Sequence, residues 1–114
     1  MDRLPIWLTL KNRPVLVVGG GPHAAAKARL VLKAGALLTI VAPSLGAEAR
    51  QMVKSGSTRH SRRTFVAEDI AGHAVVFGAT GKTRVDAEIA EAATAAGIPV
   101  NIVDHAKLST FMMP

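Results

Sequence analysis

Two features of this 114-residue sequence can do chemistry. The first is VLVVGGGPHAAAKA at 15–28, where Gly19, Gly21 and Ala24 stand in the spacing G-x-G-x-x-G/A. Each position has a physical task. Gly19 permits a tight turn, Gly21 presents no Cβ to an approaching diphosphate, and Ala24 is small enough for a following helix to pack close to the preceding strand. Pro22 suits the first helical position, where its missing N–H is no loss. The free N–H groups and the positive end of that helix then face the anion. His23 sits inside the turn, either against the cofactor or as a solvent-facing residue at the helix start. A tight turn that binds nothing is the competing reading of the motif.

The second feature is Asp104, directly after the apolar run VNIV at 100–103. An acid there emerges at the carboxyl edge of a sheet, the same edge as the glycine turn. A carboxylate near a nicotinamide can take the proton that leaves when a hydride leaves. An aspartate that only caps a turn with His105 and Ala106 fits the position equally well.

These residues need elements to hold them. PVLVVG (14–19) reads as a buried strand and HAAAKARLVLKAG (23–35) as a helix, with Ala24, Ala28, Val31 and Leu32 on one face and Gly35 as its stop. LLTIVA (37–42) is a second strand, and Ser44 can cap a helix over 45–55 that leaves at Gly56. TRHSRR (58–63) is polar enough to be an edge strand, and AVVFGA (74–79) is a fourth. Thr83 and Asp86 fit a capping box for a helix through Ala96 with the stripe Val85, Ile89, Ala92 and Ala96; PVNIV (99–103) is the fifth strand. His60 and His73 flank strands and read as surface residues. The alternation predicts a single α/β domain over 1–114: a Rossmann-like, doubly wound parallel sheet of order 3-2-1-4-5. Ligands of such sheets sit in the crevice at the carboxyl ends of strands one and four.

One part of the dinucleotide fingerprint is missing. An acid for the ribose hydroxyls is expected at the end of the second strand, and the sequence there reads Ala42-Pro43-Ser44. Ser44 can donate one hydrogen bond to the ribose or serve only as a cap. A 2′-phosphate meets less repulsion without the acid, so both NAD and NADP stay open.

The formal net charge is +6, which favours anionic partners. The aromatics Trp7, Phe65, Phe77 and Phe111 are scattered, so stacking rings do not accompany the cations and no nucleic acid partner is expected. Arg59, Arg62 and Arg63 read as a solvated edge. The lack of Cys excludes a disulfide framework, a thiolate metal site and a thiol nucleophile. No spacing of His and acids makes a metal cage. No apolar run reaches the roughly 20 residues of a membrane span, and the N-terminus does not read as a signal peptide, so no membrane partner and a cytoplasmic location are expected.

The segments LPIWLTLKNRPVLVVGGGPHAAAKARLVLKAGA, LTIVAPSL, VVFGATGKTRVDAEIAEAA and VNIVDHAKLSTFMMP resemble, nearly end to end, the N-terminal module of siroheme synthases. This is the precorrin-2 dehydrogenase and sirohydrochlorin ferrochelatase family. The LP opening, with a short extra strand before the glycine strand, and the NIVD…STFMMP ending are its most specific marks. The resemblance implies oxidation of precorrin-2 to sirohydrochlorin with NAD, then, in many members, insertion of ferrous iron as a substrate. It implies that Asp104 acts in both steps. It implies cofactor contacts at Gly21, Pro22 and His23, at Pro43 and Ser44, and at Thr80, with Asn101 and Ser109 at the substrate floor. The tetrapyrrole is a polycarboxylate, which suits a basic domain. The sequence departs from the family at Pro22, at GKTR (81–84) and at His105. The family continues beyond the equivalent of Pro114 with a dimer-forming segment and a helical domain. A homodimer is therefore expected of a full-length protein, and chelatase activity in particular is not expected of this stretch alone. A non-enzymatic NAD(H)-sensing regulatory domain is the alternative function, weakened by the missing ribose acid.

Overall fold

The computed structural model describes residues 2–113. Five short apolar runs form parallel strands: β1 (Pro14–Val18), β2 (Leu37–Val41), β3 (Thr58–Ser61), β4 (Val75–Gly78) and β5 (Val100–Ile102). They pair in the order β3-β2-β1-β4-β5, with Val15 opposite Leu38 on one side and Val75 on the other. Three helices connect them: α1 (Pro22–Lys33), α2 (Ala47–Lys54) and α3 (Thr83–Ala95). A 3₁₀ turn at Ala67–Ile70 lies on the long return from β3 to β4.

The strands alternate sides at every residue, so the two faces of the sheet bury two cores. Val15 and Val17 meet Ala24, Ala25, Ala28 and Val31 of α1 and Ala49 of α2. Leu16 and Val18 meet Ile89, Ala90 and Ala93 of α3 and Ile70 of the 3₁₀ turn. The chain therefore winds outward in both directions from the centre, leaving a crevice between the carboxyl ends of β1 and β4. Among the described residues no helix is long and apolar enough to cross a membrane.

Four local expectations are corrected. The LP opening forms no strand: Leu4, Ile6 and Trp7 are exposed, and residues 2–10 find no ladder partner among the described residues. Pro5 has no N–H to give, and this segment leads into β1, whose two edges are already taken by β2 and β4. Ser44 does not cap α2; Gly46 occupies that position without a side-chain cap. Thr83 and Asp86 form no capping box: Lys82 is the N-cap, and Asp86 is buried, accepting from the Thr80 N–H at 3.2 Å and the Thr80 hydroxyl at 2.7 Å. β3 ends at Ser61 rather than position 63, because the Arg63 guanidinium turns away to clamp Asp69 through both nitrogens.

Candidate functional site

The glycine turn follows β1 and wedges between two neighbouring connections. A Cβ on Gly19 would lie 2.3 Å from the Ala79 carbonyl oxygen after β4, and Gly19 has a φ of +128° that only glycine adopts readily. A Cβ on Gly20 would lie 2.1 Å from the Ser44 carbonyl oxygen after β2. The Gly46 N–H donates to the Gly20 carbonyl at 2.8 Å, locking turn and connection together. Gly21 is different: a Cβ there would meet nothing within 4 Å. It is the N-cap of α1, no side chain caps the helix, and Pro22 opens the first turn. Open space, an uncapped helix start and no Cβ are what a diphosphate needs. The residues present therefore fit a dinucleotide at this turn. Ala24 is buried against the sheet, and His23 is exposed at the helix start.

The expected contacts on either side divide. Pro43 and Ser44 are exposed beside the turn. Thr80 also stands beside it, after β4, but its hydroxyl is committed to Asp86. That bond explains why an acid is buried on α3: it folds the β4–α3 connection back on itself.

Asp104 lies after β5, exposed, with a φ of +63°. The His105 N–H closes a turn onto the Ile102 carbonyl at 3.1 Å, so Asp104 takes its left-handed corner, a conformation aspartate tolerates better than most residues. The carboxylate opens onto a cleft of about 370 Å³ lined also by Lys27, Asn101, His105, Ser109 and Met112. Asp104 makes no ion pair among the described residues.

The floor of this cleft is braced by the segment after the turn. The Val100 N–H donates to the Thr110 hydroxyl at 2.9 Å and the Ile102 N–H to the Ser109 hydroxyl at 2.9 Å. These two side chains occupy the outer edge of β5, where a sixth strand would otherwise pair. Asn101, buried, donates through Nδ2 to the Phe111 carbonyl at 3.1 Å, and the Phe111 ring stands edge-on to Phe77 with centroids 5.6 Å apart. Asn101 and Ser109 thus line the cleft while tying its rim to the sheet.

The structure brings the glycine turn and Asp104 to one edge of the sheet, but α1 reaches the Asp104 cleft through Lys27, one turn beyond the glycines. Lys27 was not predicted; its position three residues after Ala24, at the margin of the buried face of α1, is the signal that points to it. On the opposite side of the glycine turn lies a second groove of about 570 Å³, lined by Ser44, Leu45, Arg50, Lys54, His60 and Arg62 among others. His60, on the groove wall, is half-buried and donates through Nε2 to the Ala42 carbonyl at 2.9 Å. His73 is likewise half-buried, 3.3 Å from the Ile70 carbonyl.

Comparison with known proteins adds to this geometry. A family model described as "Putative NAD(P)-binding" matches residues 6–114. The chain is 44% identical over 114 residues to "Siroheme synthase 3" of Aeromonas hydrophila subsp. hydrophila. It is 41% identical over 115 residues to "Siroheme synthase" of Nitrosomonas eutropha. Each match covers 100% of this chain and 24% of the relative, so the chain spans about a quarter of the length of the curated relatives it matches. Among solved structures it is similar to "SirC, precorrin-2 dehydrogenase", with a TM-score of 0.84 and 28% identity, covering 98% of this chain and 55% of that one.

Proposed function

Because the chain belongs to the NAD(P)-binding family whose model spans residues 6–114, we propose that it oxidises precorrin-2 to sirohydrochlorin with a nicotinamide dinucleotide as hydride acceptor. Similarity to relatives named siroheme synthase and to a precorrin-2 dehydrogenase supports this reading. The observation that carries it is the placement of an uncapped glycine turn and an unpaired carboxylate at one edge of a parallel sheet, with a cleft beside the carboxylate.

A nicotinamide dinucleotide held at the glycine turn would supply the two-electron chemistry, as a hydride acceptor for the macrocycle. The residues of the chain do the rest. The N–H groups at the start of α1, reached past Gly21, hold the diphosphate, and Pro22 and His23 border it. Pro43 and Ser44 on one side and Thr80 on the other bound the riboses. Asp104 accepts the proton that the macrocycle loses with the hydride, so that hydride and proton together account for one two-electron oxidation. Lys27 faces a carboxylate of the polyanionic ring, and Asn101 and Ser109 keep the cleft floor in place. Insertion of ferrous iron as a substrate, and pairing as a homodimer, belong in this reading to a protein of the relatives' length. A cytoplasmic location goes with it.

The test is to supply precorrin-2 with NAD or NADP and follow reduced nicotinamide and sirohydrochlorin by absorbance. Asp104→Asn is expected to lower turnover by about a hundredfold or more, the scale of a lost general base, while dinucleotide binding persists. Turnover within a few-fold of the unaltered protein removes Asp104 from the chemistry. Dinucleotide binding without any tetrapyrrole binding returns the sensor reading instead.

A further inference from the structure

His105 lines the same cleft as Asp104 and has no task in that mechanism. Its backbone is pinned on both sides. The His105 N–H donates to the Ile102 carbonyl at 3.1 Å, and the His105 carbonyl accepts from the Leu108 N–H at 3.1 Å and from the Ser109 hydroxyl at 3.0 Å. The ring is left free. It is half-buried, yet among the described residues neither of its nitrogens has a hydrogen-bond partner, whereas the half-buried His60 and His73 each set a ring nitrogen against a backbone carbonyl. An imidazole on a fixed backbone, at the wall of a cleft and with both nitrogens open, is able to take a proton and release it.

The groups that share the cleft give that proton a direction. Asp104 precedes His105 in the chain and opens onto the same space, and Lys27 reaches it from α1. Lys107, in the 3₁₀ turn Ala106–Leu108, is exposed and does not line the cleft. A lysine ammonium offers donors only, which leaves His105 as the base beside Asp104. A free carboxyl has a pKa of about 4 and a free imidazole one of about 6.5, so a proton passed from the first to the second moves downhill by about two orders of magnitude. A macrocycle lying over the cleft separates the Asp104 carboxylate from bulk water, and the proton it has taken then needs another way out before the next turnover.

We propose that His105 is the exit for the proton of the oxidation, receiving it from Asp104 and passing it to water. The inference rests on the precorrin-2 reading above and adds a second proton-transfer group to it. The macrocycle gives a hydride to the nicotinamide and a proton to a carboxylate oxygen of Asp104. That O–H bond breaks as an N–H bond forms on the neutral His105 ring, and the imidazolium then loses a proton to water. Asp104 returns to carboxylate and His105 to neutral imidazole, and the electron pair stays on the nicotinamide.

The test is the pH dependence of turnover at saturating NAD and precorrin-2 for the unaltered protein, His105→Gln and His105→Ala, with NAD titration and thermal unfolding of each. Turnover of the unaltered protein is expected to fall as pH drops through the range in which imidazoles titrate, about 6 to 7, because a protonated ring cannot accept. Both variants are expected to bind NAD as before, to lose that limb and to turn over about tenfold more slowly at neutral pH, less than the loss expected for Asp104→Asn because water still drains the carboxyl slowly. Added imidazole is expected to restore turnover to His105→Ala and not to Asp104→Asn, a rescue that a merely structural histidine would not show. If both variants keep the rate and the pH profile while Asp104→Asn is slow, the exit assignment is overturned and the dehydrogenase reading stands. A slow His105→Ala that imidazole does not restore overturns it equally. If the unaltered protein oxidises no precorrin-2 with either NAD or NADP, both fall.

Discussion

Gly21→Ala separates binding from folding in this chain. A Cβ at Gly21 meets nothing within 4 Å, and the residue sits at φ −86°, which any L-residue adopts. Alanine there removes backbone freedom from the unfolded chain, worth about 0.4–1 kcal/mol of added stability. For a domain of this size that corresponds to a rise in Tm of about 2–5 °C. Dinucleotide affinity moves the other way. The new methyl stands where the diphosphate must approach the N–H groups of α1, and losing one or two charge-assisted hydrogen bonds at about 1.5–3 kcal/mol each weakens binding by roughly one to four orders of magnitude. The neighbours provide the contrast. Alanine at Gly19 would drive a Cβ to 2.3 Å from the Ala79 carbonyl oxygen at a φ of +128°, and alanine at Gly20 to 2.1 Å from the Ser44 carbonyl oxygen. Both are expected to lower Tm, by at least about 2 kcal/mol of stability for Gly19. Thermal unfolding and titration of the three variants with NAD give the readout. Wild-type affinity in a well-folded Gly21→Ala protein would refute the placement of the diphosphate, and an unfolded Gly21→Ala protein would refute the open space above the turn.

Three further outcomes follow from the same geometry. Asp104→Gly is expected to be at least as stable as the unaltered protein, and Asp104→Ala less stable than Asp104→Gly by about 1 kcal/mol, because the φ of +63° penalises a Cβ; urea unfolding compares them. Thr110→Val leaves the Val100 N–H without its acceptor and is expected to cost about 1–3 kcal/mol, with faster amide exchange along β5 as the local signature. Asp69 is held below the usual carboxylate range by the hydrogen bond from Arg63 and by the Val66 N–H, against the opposing effect of burial. A depressed folded pKa contributes stability above the unfolded value near 4 and loses it as pH falls through the folded value, so the deficit of Asp69→Ala against the unaltered protein should be largest at neutral pH and shrink in acid.

The fold was legible because its strands are apolar runs bounded by glycine and proline, and because alternation with helices leaves few ways to order a parallel sheet. The glycine turn and Asp104 were legible for the same reason: each stands immediately after a strand, and strand ends share an edge. What stayed hidden depends on contacts distant in sequence. Ser44 has every local mark of a cap, but the Gly46 N–H is committed to Gly20, and α2 starts after Gly46 instead. Asp86 reads as a helix-start acid until Thr80 folds back to meet it, and α3 buries Asp86, Ile89, Ala90 and Ala93, whereas Ala96 of the expected stripe is exposed. Arg50 and Lys54 announce a shared helical face, yet nothing in the sequence says that Arg62 arrives alongside them.

The two clefts flanking the glycine turn differ in charge, and that difference can orient a dinucleotide. A symmetric diphosphate does not by itself distinguish its adenosine end from its nicotinamide end. The groove beside β2 carries Arg50, Lys54 and Arg62 with no acid, whereas the cleft beside β5 carries Asp104 with Lys27 opposite. The oxidised nicotinamide, a cation, is repelled by the first side and tolerated by the carboxylate on the second. On the proposed reading, the missing acid after β2 and the acid after β5 work as a pair: together they set which end of the cofactor lies beside Asp104. Charge reversal tests this directly. Arg62→Glu combined with Arg50→Glu removes that repulsion and should lower turnover more than it weakens dinucleotide binding; unchanged turnover at saturating dinucleotide would show that polarity is set elsewhere.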